Sequence, residues 1–403
     1  MVQTAILNRK NAYAAIVLLG IVSLIGDVIY EGARGLVPDY LKVLGASAIV
    51  VGLVGGLGDF LGYTIRLVSG FLADTTRSYW FFIFVGYGLI VTIPFLGVAT
   101  GLEVAIAFVL VERLGKALRS PARDTVLSVV SKDVGAGKAF GLHELLDQVG
   151  AMIGPLMVAG LMFFSNNNYR LTFSFLFFPF LLLLVSLAYA YRKVGFRKVE
   201  EEPKAENKKG KLPRTLYVYS LAVLLSTLGL IPFSLILYKA AVILQPTNDQ
   251  WIVPLIYFLI QGVDAPAALI SGYAYDKFGI GVLIVPFLLS AFPSLLAMFN
   301  SSLLMLVAAA AVFGLVLGMQ ESIYRAAVTH LSPLSSRGTA YGIFNTAYGT
   351  GFLISGLVYG TLIDFNLSFA IALVYVLVMQ AAAMALLLDV RSKLKHEQQA
   401  KLD

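Results

Sequence analysis

The residues best placed to do chemistry are acids inside long apolar runs, where an ionisable side chain is costly. In the first such run, Asp27, Glu31 and Arg34 are spaced so that all three fall on one face of a helix. A charged side chain near the middle of a bilayer costs roughly 2.5–3.5 kcal/mol on insertion scales, so this face should contact protein or water. The stripe either helps helices to pack or lines a transport pathway, and its net charge of −1 favours the pathway.

Proton exchange is the chemistry that these acids suggest. A carboxyl group that alternately gains and loses a cationic neighbour, as a cavity opens to one side and then the other, can load and release a proton. We predict this role for five acids, with Asp27 and Glu144 preferred because of their estimated depth in the membrane. The five are Asp27, Glu31, Asp59, Glu144 and Asp147. Their predicted cationic partners are Arg34, Arg66 and Arg113, whereas Arg119 and Arg123 are interpreted as cytoplasmic anchors.

A second group of polar residues in these runs is expected to bind substrate. Its members are Arg34, Arg113, His143, Gln148, Gln261, Asp264, Tyr341 and Asn345. In an alternative interpretation, His143 and the carboxylates supply ligands for a transported divalent metal ion. No phosphate-binding loop, nucleophile–base pair or metal-site motif is evident, and the sequence has no cysteine. We therefore expect no enzymatic activity, no cofactor and no resident metal.

The composition predicts an all-α membrane protein. The 403 residues are 59% hydrophobic and only 13% charged, far from the roughly 25% charged residues of soluble domains. Runs long enough to cross about 30 Å of hydrocarbon predict twelve transmembrane helices. They lie near 12–34, 46–72, 79–99, 103–122, 137–163, 170–191, 214–240, 251–273, 280–299, 302–326, 338–363 and 366–388.

Two stretches of the chain align with each other at an offset of 201 residues. Gly137–Gly160 matches Gly338–Leu357 at six identical positions, including Gly141 with Gly342 and Gly150 with Gly351. A duplicated half is common in secondary transporters, whose substrate site lies between the halves. We predict a six-helix half at 1–192, a cytoplasmic linker at 193–213 and a second half at 214–403. Asn345 takes the place of Glu144, so proton chemistry is expected in the first half.

Basic residues predict how the chain is oriented. Lys and Arg concentrate in alternate loops, at Arg77, Lys277 and Arg337 among others, while the opposite loops are nearly bare of them. The positive-inside rule then places both termini in the cytoplasm, and we expect a multi-pass monomer in the plasma membrane with its first helix retained. Most of the net charge of +7 lies between Arg192 and Arg214, so nucleic-acid binding is not needed to explain it.

Two short motifs resemble a known family. Gly272, Asp276, Lys277 and Gly279 match the pattern GxxxD[RK]xG of the major facilitator superfamily, and Gly70 and Asp74 begin a first copy that ends at Arg77. The first copy departs from the pattern, with Thr75 and Thr76 where a basic residue and a spacer are expected. The resemblance implies that Asp74 and Asp276 bridge to neighbouring helix ends and latch one conformation.

The fifth predicted helix resembles the antiporter motif of the same superfamily. Gly141, Gly150, Gly154 and Pro155 match the motif, and the sequence departs from it after Pro155. In this family a basic residue in the fourth helix accompanies proton-coupled export, which favours Arg113, with Lys116 as a competitor. The resemblance implies export of a small organic molecule, amphipathic or cationic, by proton antiport. A packing-only role for the motif, a proton-coupled importer of a polar metabolite and a divalent-metal carrier are the alternatives.

Overall fold

A computed structural model describes residues 9–131, 134–194, 211–299 and 302–399. For residues 9–11, 334 and 397–399 only the backbone is described. Within these ranges the chain is helical and contains no β-strand, as the composition predicts. Most of the predicted linker, residues 195–210, lies outside the described residues.

Ten described stretches are long and apolar enough to cross a membrane. One of them, Ile252–Phe299, contains 48 residues and covers two predicted crossings, at 251–273 and 280–299. The predicted crossing at 103–122 lies in the helix Leu102–Val130, which carries more charged residues than those ten stretches do in their most apolar part. With these two additions the described chain accounts for all twelve predicted helices.

Most crossings are single helices, and the others are built from shorter helices joined end to end. A π-helical turn, Gln320–Tyr324, joins α14 to α15. The helices are α1 (Arg9–Val43), α2 (Ala48–Thr76), α3 (Tyr79–Gly88), α4 (Thr92–Phe95), α5 (Leu102–Val130), α6 (Ala136–Phe164), α7 (Tyr169–Phe175), α8 (Phe177–Val194), α9 (Arg214–Leu228), α10 (Phe233–Leu244), α11 (Ile252–Phe278), α12 (Ile284–Leu289), α13 (Ala291–Phe299), α14 (Leu303–Met319), α15 (Arg325–Leu331), α16 (Arg337–Asp364) and α17 (Phe369–Gln399).

The chain divides into two compact units. Unit 1 comprises Met1–Val37 and Ile65–Pro203, and unit 2 comprises Pro38–Thr64 and Lys204–Asp403. Both α1 and α2 therefore contribute one part to each unit. The predicted division at 193–213 stays a prediction.

In unit 1, glycines bring α6 into backbone contact with α1. A Cβ added at Gly154 would lie 2.6 Å from the Val28 carbonyl oxygen, and one added at Gly150 would lie 2.4 Å from that of Leu24. Real Cβ atoms do not approach backbone so closely, so only glycine fits at these two positions. Small residues at a helix crossing allow this kind of packing in membranes, and here the crossing lies beside Asp27, whose Cβ would be 3.0 Å from a Cβ at Gly150.

In unit 2, the first half of α2 packs against α16 in the same way. A Cβ added at Gly52 would lie 2.2 Å from the Gly356 carbonyl oxygen, and one added at Gly56 would lie 2.6 Å from that of Phe352. The Asp364 carboxylate accepts hydrogen bonds from the backbone N–H groups of Ala48 and Ile49, at 2.8 and 2.9 Å. The last residue of α16 thus caps the first turn of α2, whose N–H groups have no partner within their own helix.

Candidate functional site

The acidic stripe of α1 meets cationic side chains in the core of unit 1. Glu31 is 4% exposed, and its Oε1 atom lies 3.6 Å from Arg34 Nη1 and 3.4 Å from Lys116 Nζ. The same Lys116 ammonium donates a hydrogen bond to the Tyr30 hydroxyl and lies 4.2 Å from the centre of the Tyr30 ring. We call Tyr30, Glu31, Arg34 and Lys116 the Glu31 cluster. It joins α1 to α5 through a lysine whose side chain stays 23% exposed.

Arg119 lies one turn after Lys116 on α5 and is buried. Its side chain lies 3.9 Å from Glu112 Oε1 and over the rings of Tyr30 and Tyr87, at 5.1 and 5.0 Å from their centres. A residue that is only 2% exposed cannot serve as a solvated cytoplasmic anchor, so that prediction is wrong for Arg119. Arg113 pairs with Glu112 at 3.7 Å, and Lys116, its competitor, is the α5 cation that reaches Glu31.

A second group of charges joins α5 to α6. Asp147 Oδ2 lies 3.4 Å from Arg123 Nη1 and 3.5 Å from His143 Nδ1, and Arg123 also donates to Ser23 Oγ at 2.7 Å. Arg123 further pairs with Asp124 at 2.9 Å. Arg123 therefore orders a junction of α1, α5 and α6 and is more than the cytoplasmic anchor predicted for it. We call Ser23, Arg123, His143 and Asp147 the Asp147 cluster.

Asp27 interacts electrostatically with residues of both clusters. It is 8% exposed and interacts with Glu31 and Lys116 of the first cluster, with Asp147 of the second, and with Arg119. Among the residues that the structure describes, none makes a hydrogen bond or an ion pair with the Asp27 carboxyl group. Buried charges are normally paired, which makes Asp27 unusual among the acids of unit 1.

The remaining predicted residues of the first half have different surroundings. Glu144 is exposed on α6, on a different face from its neighbour His143, which is buried. Arg66 belongs to unit 1 and interacts electrostatically with Lys116 of the Glu31 cluster, and Asp59 belongs to unit 2. Gln148, which is predicted to bind substrate, is half-buried one residue after Asp147. Of the two acids predicted on α6, Asp147 therefore belongs to a cluster of charges and Glu144 is exposed.

Unit 2 holds the predicted substrate residues of the second half. Gln261 and Asp264 are both buried on α11. The Tyr341 hydroxyl donates to the Arg325 carbonyl oxygen at 3.1 Å and lies 2.7 Å from Thr329 Oγ1. These contacts join α16 to α15. Asn345 is half-buried on α16.

A polar and aromatic group in unit 2 was missed from the sequence. The Tyr348 hydroxyl donates to Gln320 Oε1 at 2.7 Å, and the Tyr348 ring meets Tyr63 edge to face at 5.1 Å between ring centres. Gln320 begins the π-helical turn, and such turns occur frequently at functional sites. The change from an apolar run to the polar residues Gln320, Glu321 and Ser322 is a signal that could have found it, whereas a π-helical turn has no recognisable sequence pattern.

Comparisons with known proteins agree with the fold. The family model described as Major Facilitator Superfamily matches residues 16–280 and 217–402. The chain belongs to the major facilitator superfamily. An uncharacterized protein of Mycobacterium tuberculosis is 36% identical over 382 residues, which cover 93% of this chain and 92% of the relative. An uncharacterized transporter of the superfamily from Methanocaldococcus jannaschii is 26% identical over 367 residues, covering 88% of each chain.

Solved transporters share the fold at low sequence identity. A point mutant of the nucleoside transporter NupG superposes with a TM-score of 0.72 at 12% identity, covering 94% of this chain and 99% of that chain. A bacterial homologue of the human lysosomal transporter Spinster superposes with a TM-score of 0.70 at 14% identity, covering 96% and 98%. This protein is therefore a multi-pass membrane transporter of the superfamily that handles a small-molecule substrate.

The two superfamily latch motifs lie at the ends of α2 and α11. Gly279 has φ +65° and ψ −153°, a backbone conformation that is essentially restricted to glycine. At the equivalent position of the first copy, Arg77 has φ 54°, so the two copies share a positive φ although only the second has glycine there. Asp74 accepts a hydrogen bond from the Tyr79 hydroxyl at 3.1 Å, and Asp74, Asp276 and Lys277 are exposed. The latch role of both motifs, including Gly70 and Gly272, stays a prediction.

The antiporter-motif residues of the superfamily behave in two ways. Gly150 and Gly154 form the crossing with α1, and Pro155 is buried beside them. A Cβ added at Gly141 would meet no atom within 4 Å, so that glycine is not required by packing in unit 1. Close packing is therefore observed at Gly150 and Gly154, and the antiporter role of the motif stays a prediction.

The arrangement does not resemble a resident metal site. In the part of the chain that the structure describes, no group of three or more histidine, aspartate or glutamate side chains could hold a metal ion. His143 and Asp147 form a pair, and the nearby Arg123 contributes a positive charge that disfavours a cation. The geometry instead provides buried carboxyl groups surrounded by cations.

Proposed function

We propose that this transporter exports a small organic compound by proton antiport through alternating access. Asp27 carries the proposal, because it is a buried carboxyl group without a hydrogen-bond or ion-pair partner among the described residues. An unpaired carboxylate is costly to bury, and the neutral acid is much less so. A group of this kind exchanges a proton when its surroundings change between two conformations.

The neighbours of Asp27 supply the charges that such an exchange requires. Lys116 and Arg119 favour its charged form, and Glu31 and Asp147 oppose it. Two acids and two cations therefore act on one carboxyl group from three helices, so a small displacement of one of these side chains changes the free energy of deprotonation. Each kilocalorie of change is worth a factor of about 5 in the proton-binding constant.

The α1–α6 crossing supports the same role. Gly150 brings the α6 backbone against the Asp27 side chain, so movement of α6 relative to α1 would change the space around that carboxyl group. Gly154 and Pro155 follow within the next turns of α6. We propose that this part of the helix transmits the conformational change to Asp27.

We further propose the orientation and setting of the transporter. The alternation of basic loops supports cytoplasmic termini, and the membrane that we propose is the plasma membrane. Arg77 and Lys277 are exposed at helix ends that this orientation places inside. We propose that the protein acts as a monomer, because each chain carries its own charged core. We also propose that it has no enzymatic activity.

The test is proton movement in proteoliposomes. Purified protein is reconstituted with a pH-sensitive dye in the lumen, and cationic, neutral and anionic compounds are added under an imposed proton gradient. We expect at least one compound to drive proton flux in the opposite direction to its own movement, and we expect Asp27→Asn to abolish this flux. Glu144→Gln, the second acid preferred from the sequence, is measured in parallel.

A matched control removes an acid outside the charged core. Asp389 pairs with Lys393 on α17 and its side chain is 44% exposed, so Asp389→Asn should leave the flux unchanged. Flux of protons in the same direction as the compound would indicate an importer mechanism and contradict antiport. Uptake of Mn²⁺ without compound-driven proton flux would indicate a metal carrier instead.

A further inference from the structure

Lys116 occupies a site whose chemistry is that of an ammonium receptor. Its ammonium group lies near one carboxylate oxygen of Glu31, at 3.4 Å, and over the Tyr30 ring, at 4.2 Å from the centre. The Tyr30 hydroxyl accepts a hydrogen bond from the same group. An acid and an aromatic face are the elements with which proteins recognise alkylammonium ligands. Here a side chain of the protein itself fills the site.

We infer that Tyr30 and Glu31 form the binding subsite for the ammonium group of an organic amine, and that Lys116 occupies this subsite when substrate is absent. The inference rests on the proposed function and names the substrate class of the same site. Exchange of one ammonium for another leaves the charge of the buried cluster unchanged, which avoids the penalty for an uncompensated buried charge. Arg34 remains beside Glu31 throughout.

The displaced lysine has a second acid within reach. Asp27 lies four residues before Glu31, about 6 Å along the α1 axis, and already interacts electrostatically with Lys116. The flexible lysine stem can cover that distance by rotation. Lys116 therefore moves from Glu31 to Asp27 when an amine binds.

This movement couples the amine to a proton. When Lys116 arrives, the O–H bond of the Asp27 carboxylic acid breaks, the proton passes to water, and the carboxylate pairs with the lysine ammonium. The charged and titratable groups found to act on Asp27 come from three helices. They are Tyr30 and Glu31 from α1, Lys116 and Arg119 from α5, and Asp147 from α6. Only Lys116 among them is both flexible and partly exposed, so it is the group that carries the exchange.

The inference is tested by measuring, by calorimetry, the affinity of purified full-length protein in detergent for three probes of similar shape. The probes are benzylammonium, benzyl alcohol and benzoate. We expect benzylammonium to bind about tenfold more tightly than the other two, the ratio that one charge-assisted contact supplies. Lys116→Met keeps the stem and removes the ammonium, so the tethered competitor disappears and benzylammonium should bind about tenfold more tightly than to wild type. Lys138→Met removes an exposed lysine of α6 and should change nothing.

Further variants separate the inference from misfolding and from the proposed function. Glu31→Gln should weaken benzylammonium binding about tenfold, opposite in sign to Lys116→Met, whereas misfolding would weaken binding in both. Titration in buffers of different ionisation enthalpy should show about one proton released per bound amine in wild type and none in Asp27→Asn. Tighter binding of benzoate than of benzylammonium, or weaker amine binding in Lys116→Met, would overturn the inference. If only uncharged or anionic compounds drove proton flux in the proteoliposome assay, the proposal of antiport would stand. The inference of an amine-binding subsite would then be overturned.

Discussion

At the scale of single residues, spacing along one helix was predictable and contacts between helices were not. The helical period placed Glu31 and Arg34 on one face, and the structure pairs them at 3.6 Å. The lysine that reaches the same carboxylate lies 85 residues further along the chain, and no local pattern specifies such a distance. Arg119 was misinterpreted for the same reason, since its burial depends on Tyr30, Tyr87 and Glu112 from the surrounding structure.

Two glycines of α6 give a matched test of the packing at Asp27. In Gly154→Ala the new methyl group would lie 2.6 Å from the Val28 carbonyl oxygen, so α6 must move away from α1. Overpacking of this kind costs about 1–3 kcal/mol, and the melting temperature in detergent should fall. Gly141→Ala has open space around the new methyl group and a better helix propensity, so its melting temperature should be unchanged or higher. Equal melting temperatures for the two variants would contradict the proposed crossing.

At the scale of helices, glycines allow close packing without specifying the partner, as where Gly52 of α2 lies against Gly356 of α16 in unit 2. The offset of 201 residues indicated that α6 and α16 are equivalent, and the equivalence extends to a contact. A Cβ added at Gly150 would meet Leu24 of α1, and one added at Gly351 would meet Leu224 and Thr227 of α9. The duplication therefore repeats the contact of α6 with α1 as a contact of α16 with α9, whereas the contact of α16 with α2 was not predictable from it.

The cap at the end of α16 leads to a prediction about α2. Asp364→Ala removes the acceptor of two backbone hydrogen bonds, from Ala48 and Ile49. Loss of an N-terminal cap costs typically about 1 kcal/mol, so the melting temperature of the purified protein should fall. Asp389→Ala, which removes a half-exposed acid from α17, is the control. If Asp364→Ala and Asp389→Ala had the same melting temperature, the cap would contribute nothing to stability.

At the scale of the whole molecule, apolar composition predicted an all-helical membrane protein and the short motifs resemble the superfamily, and both predictions are confirmed. One crossing combines an apolar run with many charges: α5 holds Glu112, Arg113, Lys116 and Arg119 within about two turns, and its run at 103–122 was still long enough to be predicted. Several of these charges belong to the candidate site.

The orientation of the chain can be tested without background labelling, because the sequence has no cysteine. Thr247 and Ser335 are both exposed, in loops that the positive-inside rule places on opposite sides of the membrane. A membrane-impermeant maleimide should label Thr247→Cys in intact cells and Ser335→Cys only after permeabilisation. The reverse pattern would place the termini outside.

Uphill transport tests proton antiport through Asp27 most directly. Proteoliposomes with an acidic lumen are placed in a more alkaline medium that contains a radiolabelled compound shown to drive proton flux. Wild type should accumulate this compound inside, above the external concentration, as protons leave. Asp27→Asn should exchange the compound across the membrane and reach equal concentrations on both sides without accumulation. Accumulation by Asp27→Asn equal to that of wild type would contradict the role of Asp27, and accumulation by wild type only when protons flow inward with the compound would contradict antiport.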